Sequence, residues 1–214
     1  LPILHGNILG SLDSVKYLGL HISKDLKWNT HISKITAKAN STLGFLKRNL
    51  QVKSKSIREK AYMSLVRPQV EYCSSVWDPR PRIENQGAHR VEMVQRRGAR
   101  WTLNDFNQES SVTNMLNSLG WRSLEQRRSD QRLTMLYKIS NSLVAIDPGP
   151  RLARPSRKSR HTHQYSFNIP RSPTQHHHLS FSPRTVRQWN SLPPGIFDNC
   201  TLGSFKARVC KLQH

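Results

Sequence analysis

The chain has 214 residues, enough to bury a core in one or two domains, and carries 34 lysines and arginines against 13 aspartates and glutamates, a formal charge of +21. That excess selects polyanionic partners, and with only 36% hydrophobic residues, below the roughly 45–50% of an average globular domain (a figure that also counts glycine), it argues against a free-standing compact enzyme. No apolar run approaches the roughly 18 residues of a membrane-spanning helix, and three cysteines without C-x-x-C spacing, Cys73, Cys200 and Cys210, suit a reducing compartment, nuclear or cytoplasmic, better than a disulfide framework.

The first residues, Leu1-Pro2-Ile3-Leu4-His5-Gly6, lack an initiator Met and a signal-peptide pattern, as expected of a chain cut from something longer. Val15 to Ile22 alternates and is rich in strand formers, which predicts one strand or a short hairpin. From Thr30 the period changes. Ile32, Ile35, Ala39, Leu43, Leu46 and Leu50 fall at steps of three and four with Lys34, Lys38 and Lys47 off the stripe, which predicts a packed helix with a basic outer face. Ser56-Ile57-Arg58-Glu59 matches a capping box for a second helix with Ile57, Ala61 and Leu65 inward, ending before Pro68. After Pro79-Arg80-Pro81-Arg82, Val91 and Val94 on one face and Arg90, Arg96, Arg97 and Arg100 elsewhere predict a basic third helix.

Val112, Met115, Leu116 and Leu119 form a short helical set closed by Gly120, and Ser123-Leu124-Glu125-Gln126 is a second capping box, opening a helix with Leu133, Leu136, Tyr137 and Leu143 inward. Between Asp147 and Asp198 there is no acid but many arginines, prolines and histidines, so the chain up to about Gln175 reads as a basic linker or arm. Ser182-Pro183 is expected to start another helix with Val186 and Trp189 on its apolar side, and Thr201 to cap a last one with Leu202, Phe205, Val209 and Leu212 inward. The expected fold is mainly α: a short β-strand or hairpin at the N-terminus, a helical bundle, a basic irregular arm and short C-terminal helices, over segments 1–28, 29–146, 147–178 and 179–214.

Lys34, Lys38, Lys47, Arg48, Lys53, Lys55, Arg96, Arg97 and Arg100 are the candidate nucleic-acid surface, because such cations neutralise backbone phosphates and release counterions, and too few acids accompany them to balance a merely solvated face. His161, His163, His176, His177 and His178 with Cys200 and Cys210 lack the tight ligand pairs of a zinc site, so no metal ligand is assigned. No two acids are adjacent and no G-x-S-x-G elbow occurs, so neither two-metal phosphoryl transfer nor triad hydrolysis is expected and no catalytic residue is assigned. Tyr62, Tyr72, Trp77, Trp121, Tyr137 and Trp189 sit with apolar neighbours and are expected to be core, whereas Trp28 and Trp101 are expected to be exposed and able to stack on bases.

Several strings in order carry a resemblance: V-K-Y-L-G-L-H-I at Val15 to Ile22, L-K-W-N-T-H-I at Leu26 to Ile32, L-V-R-P-Q-V-E-Y-C at Leu65 to Cys73 and V-W-D-P at Val76 to Pro79. V-Q-R-R-G-A-R-W at Val94 to Trp101, L-G-W-R-S-L-E-Q-R-R at Leu119 to Arg128, F-S-P-R-T-V-R-Q-W-N-S-L-P at Phe181 to Pro193 and S-F-K-A-R-V at Ser204 to Val209 continue it. The chain resembles the stretch after the catalytic palm motifs in reverse transcriptases of LINE-type (non-LTR, jockey-like) retrotransposons. The resemblance implies the end of the palm with primer-grip-like Tyr17, Leu18, Gly19 and Leu20, a helical thumb and a C-terminal extension. It implies RNA and DNA, as a template-primer duplex, and the upstream palm and fingers of the same polyprotein as partners, with no membrane. The family's metal-binding aspartates, in a motif resembling Y/F-A-D-D, and its endonuclease domain have no counterpart here. No cofactor is therefore expected in this chain, although the parent polymerase would need magnesium, and no activity is expected of it alone. The alternative is a non-catalytic relic or domesticated helical segment acting in protein interaction.

Overall fold

The computed structural model describes residues 3–4, 7–8, 12–79, 85–156 and 163–212. In chain order it contains strands β1 (Ile3–Leu4), β2 (Asn7–Ile8), β3 (Ser14–Tyr17) and β4 (Leu20–Ser23), then helices α1 (Asn29–Asn49) and α2 (Lys55–Ala61), the latter widening into a π-helical turn at Tyr62–Val66 and closing as a 3-10 turn at Arg67–Val70. Helices α3 (Ser74–Trp77), α4 (Asn85–Leu103), α5 (Val112–Ser118), α6 (Leu124–Ser140), α7 (Gln175–His178), α8 (Phe181–Asn190) and α9 (Leu202–Leu212) follow. The fold is mainly α with an N-terminal antiparallel hairpin, as expected. The β1–β2 pair, Ile3 opposite Ile8, was not foreseen, because two residues per strand are too few to display alternation. Contacts divide the chain into two compact units, Leu1–Val70 with Arg82–Leu119 and Glu71–Pro81 with Gly120–His214. The first break falls inside the segment 29–146 that composition reads as one.

In the first unit, Tyr17 faces Leu20 across the β3–β4 ladder. Leu18 and Gly19 are left as a two-residue turn with φ of 45° and 86°, the left-handed pair that matches the twist of a tight hairpin. Along α1, Ile32, Ala39, Leu43 and Leu46 are buried as their period predicts. Helix α4 lies against α1 and the π turn, and two glycines permit the approach. A Cβ on Gly98 would meet the Tyr62 ring at 2.4 Å, and one on Gly87 would meet Ile32 at 2.8 Å. The Tyr62 ring also corrects the reading of the second helix. The N-cap is Ser54, not Ser56, the buried residues are Tyr62, Val66 and Val70, and Ile57 and Leu65 are exposed. A π turn inserts an extra residue per turn and so shifts the phase past Ala61, and Pro68 sits within the closing 3-10 turn instead of stopping the helix. Trp101, expected outside, is buried in the stripe of Val94 and Gly98, while Trp28 is half-buried with its edge against His31. Tyr72, expected in the core, is instead exposed.

His31 ties the hairpin to α1. Its Nδ1 accepts the His21 backbone N–H at 3.3 Å, and burial, followed by the His21 charge, pulls its pKa down to about 4.

In the second unit, the predicted capping box of α6 is present, with Gln126 N–H on Ser123 Oγ at 3.1 Å and Ser123 N–H on Gln126 Oε1 at 3.3 Å. Leu133, Leu136 and Tyr137 are buried, but Leu143 lies past the helix end and is exposed. The core is largely aromatic: Tyr137 stacks on Phe205 at 4.5 Å and Trp189 meets Phe197 at 4.6 Å. Phe167 joins it. Its N–H donates to Asn190 Oδ1 at 3.0 Å and its carbonyl accepts from Asn190 Nδ2 at 2.8 Å, so the stretch read as a solvated arm is anchored by packed aromatics at Tyr165 and Phe167. Residues 157–162 of that stretch lie outside the described residues. Ser180, not Ser182, is the N-cap of α8, and Pro183 falls third in the helix, where its missing N–H is still one of the orphan positions. Thr201 caps α9 with its Oγ1 accepting Ser204 N–H at 3.2 Å, and Phe205 and Val209 point inward while Leu212 is exposed.

Beneath α6 and α8 a single buried carboxylate collects three guanidiniums. Asp78 Oδ1 accepts from Arg128 Nε at 2.7 Å, and Oδ2 contacts Arg132 and, at 3.0 Å, Arg184. Burial, then the Arg184 charge, lowers the Arg132 pKa to about 9, so it remains a cation at neutral pH. Asp78→Asn is expected to destabilise the chain by about 3–5 kcal/mol, because three buried cations lose their shared counter-charge; an unchanged urea midpoint would contradict this. Acid should also weaken the first unit. Above pH 6.5 His31 is neutral folded and unfolded; as pH falls from 6.5 to 4 the unfolded chain binds a proton that the folded one refuses. About 2–3 kcal/mol of stability should be lost across that window, and His31→Asn should flatten that part of the stability profile in urea melts.

Candidate nucleic-acid interface

Helices α1 and α4 run parallel, as two cross-links at the same sequence offset show. Arg90 donates to Ser33 Oγ at 2.9 Å and Arg97 to Asn40 Oδ1 at 3.0 Å, each pair 57 residues apart. The two rungs are seven residues apart on both helices, about 10.5 Å along the axis. One further step of seven from Asn40 reaches Lys47, whose ammonium lies 5.3 Å from the centre of the Phe106 ring. Burial, then the Arg97 charge, holds its pKa below the usual lysine value. Arg90, Arg97 and Lys47 thus form a cationic line along the α1–α4 seam. The acceptors that orient the two arginines, a hydroxyl and an amide oxygen, are neutral and leave the positive charge unspent.

The sequence-predicted cations do not share one face. Lys47 and Lys38 are nine residues apart, about 180° around α1. Lys34 and Lys38 are exposed on the side away from the seam, Lys34 with Nζ 3.2 Å from His21 Nδ1 on the hairpin. Arg48, Lys53 and Lys55 are exposed near the end of α1 and the start of α2. Arg96 is half-buried and turned about 100° from Arg97. Arg100 is committed to its own loop, donating to Asn107 O at 2.6 Å and Ser110 O at 3.4 Å. The structure adds Arg90, which the set chosen from sequence leaves out; its seven-residue spacing from Arg97 was the available signal. Of the primer-grip-like residues, Tyr17, Leu18 and Gly19 stand exposed at the hairpin tip and Leu20 is buried. Among the described residues no group of three or more His, Cys, Asp or Glu is placed to hold a metal ion, and His163 packs on Phe197 at 5.1 Å. No described helix is long and apolar enough to cross a membrane.

Comparison of the chain with protein-family models, curated proteins and solved structures returns no match.

If the seam is the phosphate-contacting face, replacing Arg90, Arg97 and Lys47 with Gln should flatten the log affinity against log salt slope by about 0.9 per lost contact on B-form duplex. Replacing Lys34 and Lys38 should change it less. Filter binding across a salt series, with melting curves to confirm folding, separates the two faces.

Proposed function

We propose that the first unit grips the phosphate backbones of a nucleic-acid duplex for an RNA-directed DNA polymerase of the LINE type, in the nucleus or cytoplasm, without catalytic carboxylates of its own. The cationic seam carries this reading. Two arginines held two turns apart by neutral acceptors, with a lysine in line, present fixed charge to a polyanion, as contacts that position a duplex without selecting its sequence do. The ordered resemblance to the region following the palm supports it, and by that resemblance the exposed hairpin tip at Tyr17 and Leu18 would lie near the primer.

The second reading, a relic acting in protein interaction, draws on β3, all four of whose residues are exposed, with Val15 and Tyr17 offering apolar surface. One experiment decides between them. The purified chain should bind an RNA–DNA hybrid steeply with falling salt and yet add no nucleotide to a primed RNA template with magnesium or manganese. Extension that tracks the protein through purification would refute the non-catalytic assignment, and no hybrid binding at low salt would favour the relic.

A further inference from the structure

Helix α6 carries a second stripe, distinct from its buried one. Arg127, Asp130, Gln131, Thr134 and Lys138 recur at steps of three and four, and together with Arg122, Lys206 and Cys210 they wall a cavity of about 560 Å³ within the second unit. Arg122 donates to Asp130 Oδ2 at 2.6 Å and reaches Cys210 Sγ at 2.8 Å, and Glu71 grips Arg127 with two oxygens. Those two acids offset the two arginines. The charges of Lys138 and Lys206, one on α6 and one on α9, remain as the surplus of the wall.

The cavity does not end at its charged half. Ser75, Val76 and Met135 also line an apolar cavity of about 340 Å³ that continues past Leu136, Ile139 and Ile146 and is rimmed by Asp147 and Ser182. Both volumes lie within the roughly 300–1,000 Å³ of small-molecule sites. A cationic pocket that shares a wall with an apolar one fits a ligand with an anionic head and a compact unsaturated body. Two mobile ammonium groups with the hydroxyl and amide of Thr134 and Gln131 suit the oxygens of phosphate groups. A thioether beside a valine suits a planar ring, and the rim polar groups can meet its edges.

We infer that this cleft binds a nucleoside phosphate, its phosphates on the Lys138 and Lys206 side and its base against Val76 and Met135. The ligand's source is a free nucleotide or the 5′-phosphorylated end of a strand. The inference stands on the second unit alone and is independent of the seam on α1 and α4.

The test is calorimetric titration of the full chain, in the presence of a chelator, with ATP, with inorganic pyrophosphate, and with a short single-stranded oligonucleotide bearing or lacking a 5′-phosphate. ATP should bind more tightly than pyrophosphate. Lys138→Gln with Lys206→Gln should weaken both by about tenfold, and Lys206→Gln alone, at an exposed position, should weaken both in part even if the double variant folds poorly. Met135→Gln, similar in size but polar, should narrow the advantage of ATP over pyrophosphate. Arg90→Gln with Arg97→Gln and Lys47→Gln should leave ATP binding unchanged while weakening duplex binding, so loss of the duplex-gripping reading and loss of this one are separable. Competition with ATP by the 5′-phosphorylated strand and not by its 5′-hydroxyl twin assigns the site to a strand end, and ATP binding without such competition assigns it to a free nucleotide. Absence of ATP and pyrophosphate binding, or affinity unmoved by Lys206→Gln in a chain that melts normally, overturns the inference.

Discussion

The carboxylate of Asp78 is bonded by guanidiniums from Arg128, Arg132 and Arg184, and the side chains of all four residues are mostly hidden from solvent. Burying such charges costs several kcal/mol per ion, so the net stabilisation is modest, but any arrangement that leaves one of them unpaired is heavily penalised. The contact therefore acts as a specifying constraint. It fixes the short segment around Trp77, whose indole N–H donates to Tyr72 O at 2.7 Å, against α6 and α8, and it explains why residues 71–81 belong with a unit whose remainder begins only at Gly120. The polar stripe of α6 that lines the charged cavity is oriented by the same anchorage, since turning Arg128 and Arg132 inward fixes which way Arg127, Gln131 and Lys138 point.

Close approach plays the corresponding part in the first unit. With no side chain at Gly98, the Tyr62 ring seats against α4, and Gly87 admits Ile32 in the same way. The Gly87 contact sets α4 against α1 and the Gly98 contact sets it against the π turn, and the rungs from Arg90 to Ser33 and from Arg97 to Asn40 fit that position. The charge pattern on the surface is thus a product of packing beneath it.

Much of this architecture was legible in the sequence wherever one period governed a whole helix. The stripes of α1, α4 and α8 and the caps at Ser123 and Thr201 are local signals, and the structure keeps them. The second helix departs from its predicted stripe because a π turn changes the residues per turn midway, which a constant period cannot represent. Tyr165 and Phe167 were hidden in a basic, proline-rich context, where two aromatics contribute little to average composition but bury well once Asn190 satisfies the backbone of Phe167. For the candidate site, residue type identifies the cations, but their grouping depends on the relative position of two helices far apart in sequence, and Lys38 and Lys47, one set by composition, lie on opposite sides of α1.

The constant offset of 57 residues between α1 and α4 has a consequence for how the molecule comes into being. Parallel neighbours cannot be joined by a tight turn, so the apolar stripe of α1 stays uncovered by α4 until the intervening chain has been laid down, and the segment around Asp78 waits longer still for α6 and α8. Both units are closed by contacts distant in sequence, which lengthens the search for the native topology relative to a bundle of sequential hairpins. Because the two units interleave along the chain, a single cut can release only the first one whole: a chain ended after Leu119 holds all of that unit but also carries residues 71–81 without the rest of the unit that receives them. On the ribosome, the first unit therefore has all its sequence once Leu119 has emerged, whereas residues 71–81 must wait for the C-terminal helices that complete the second.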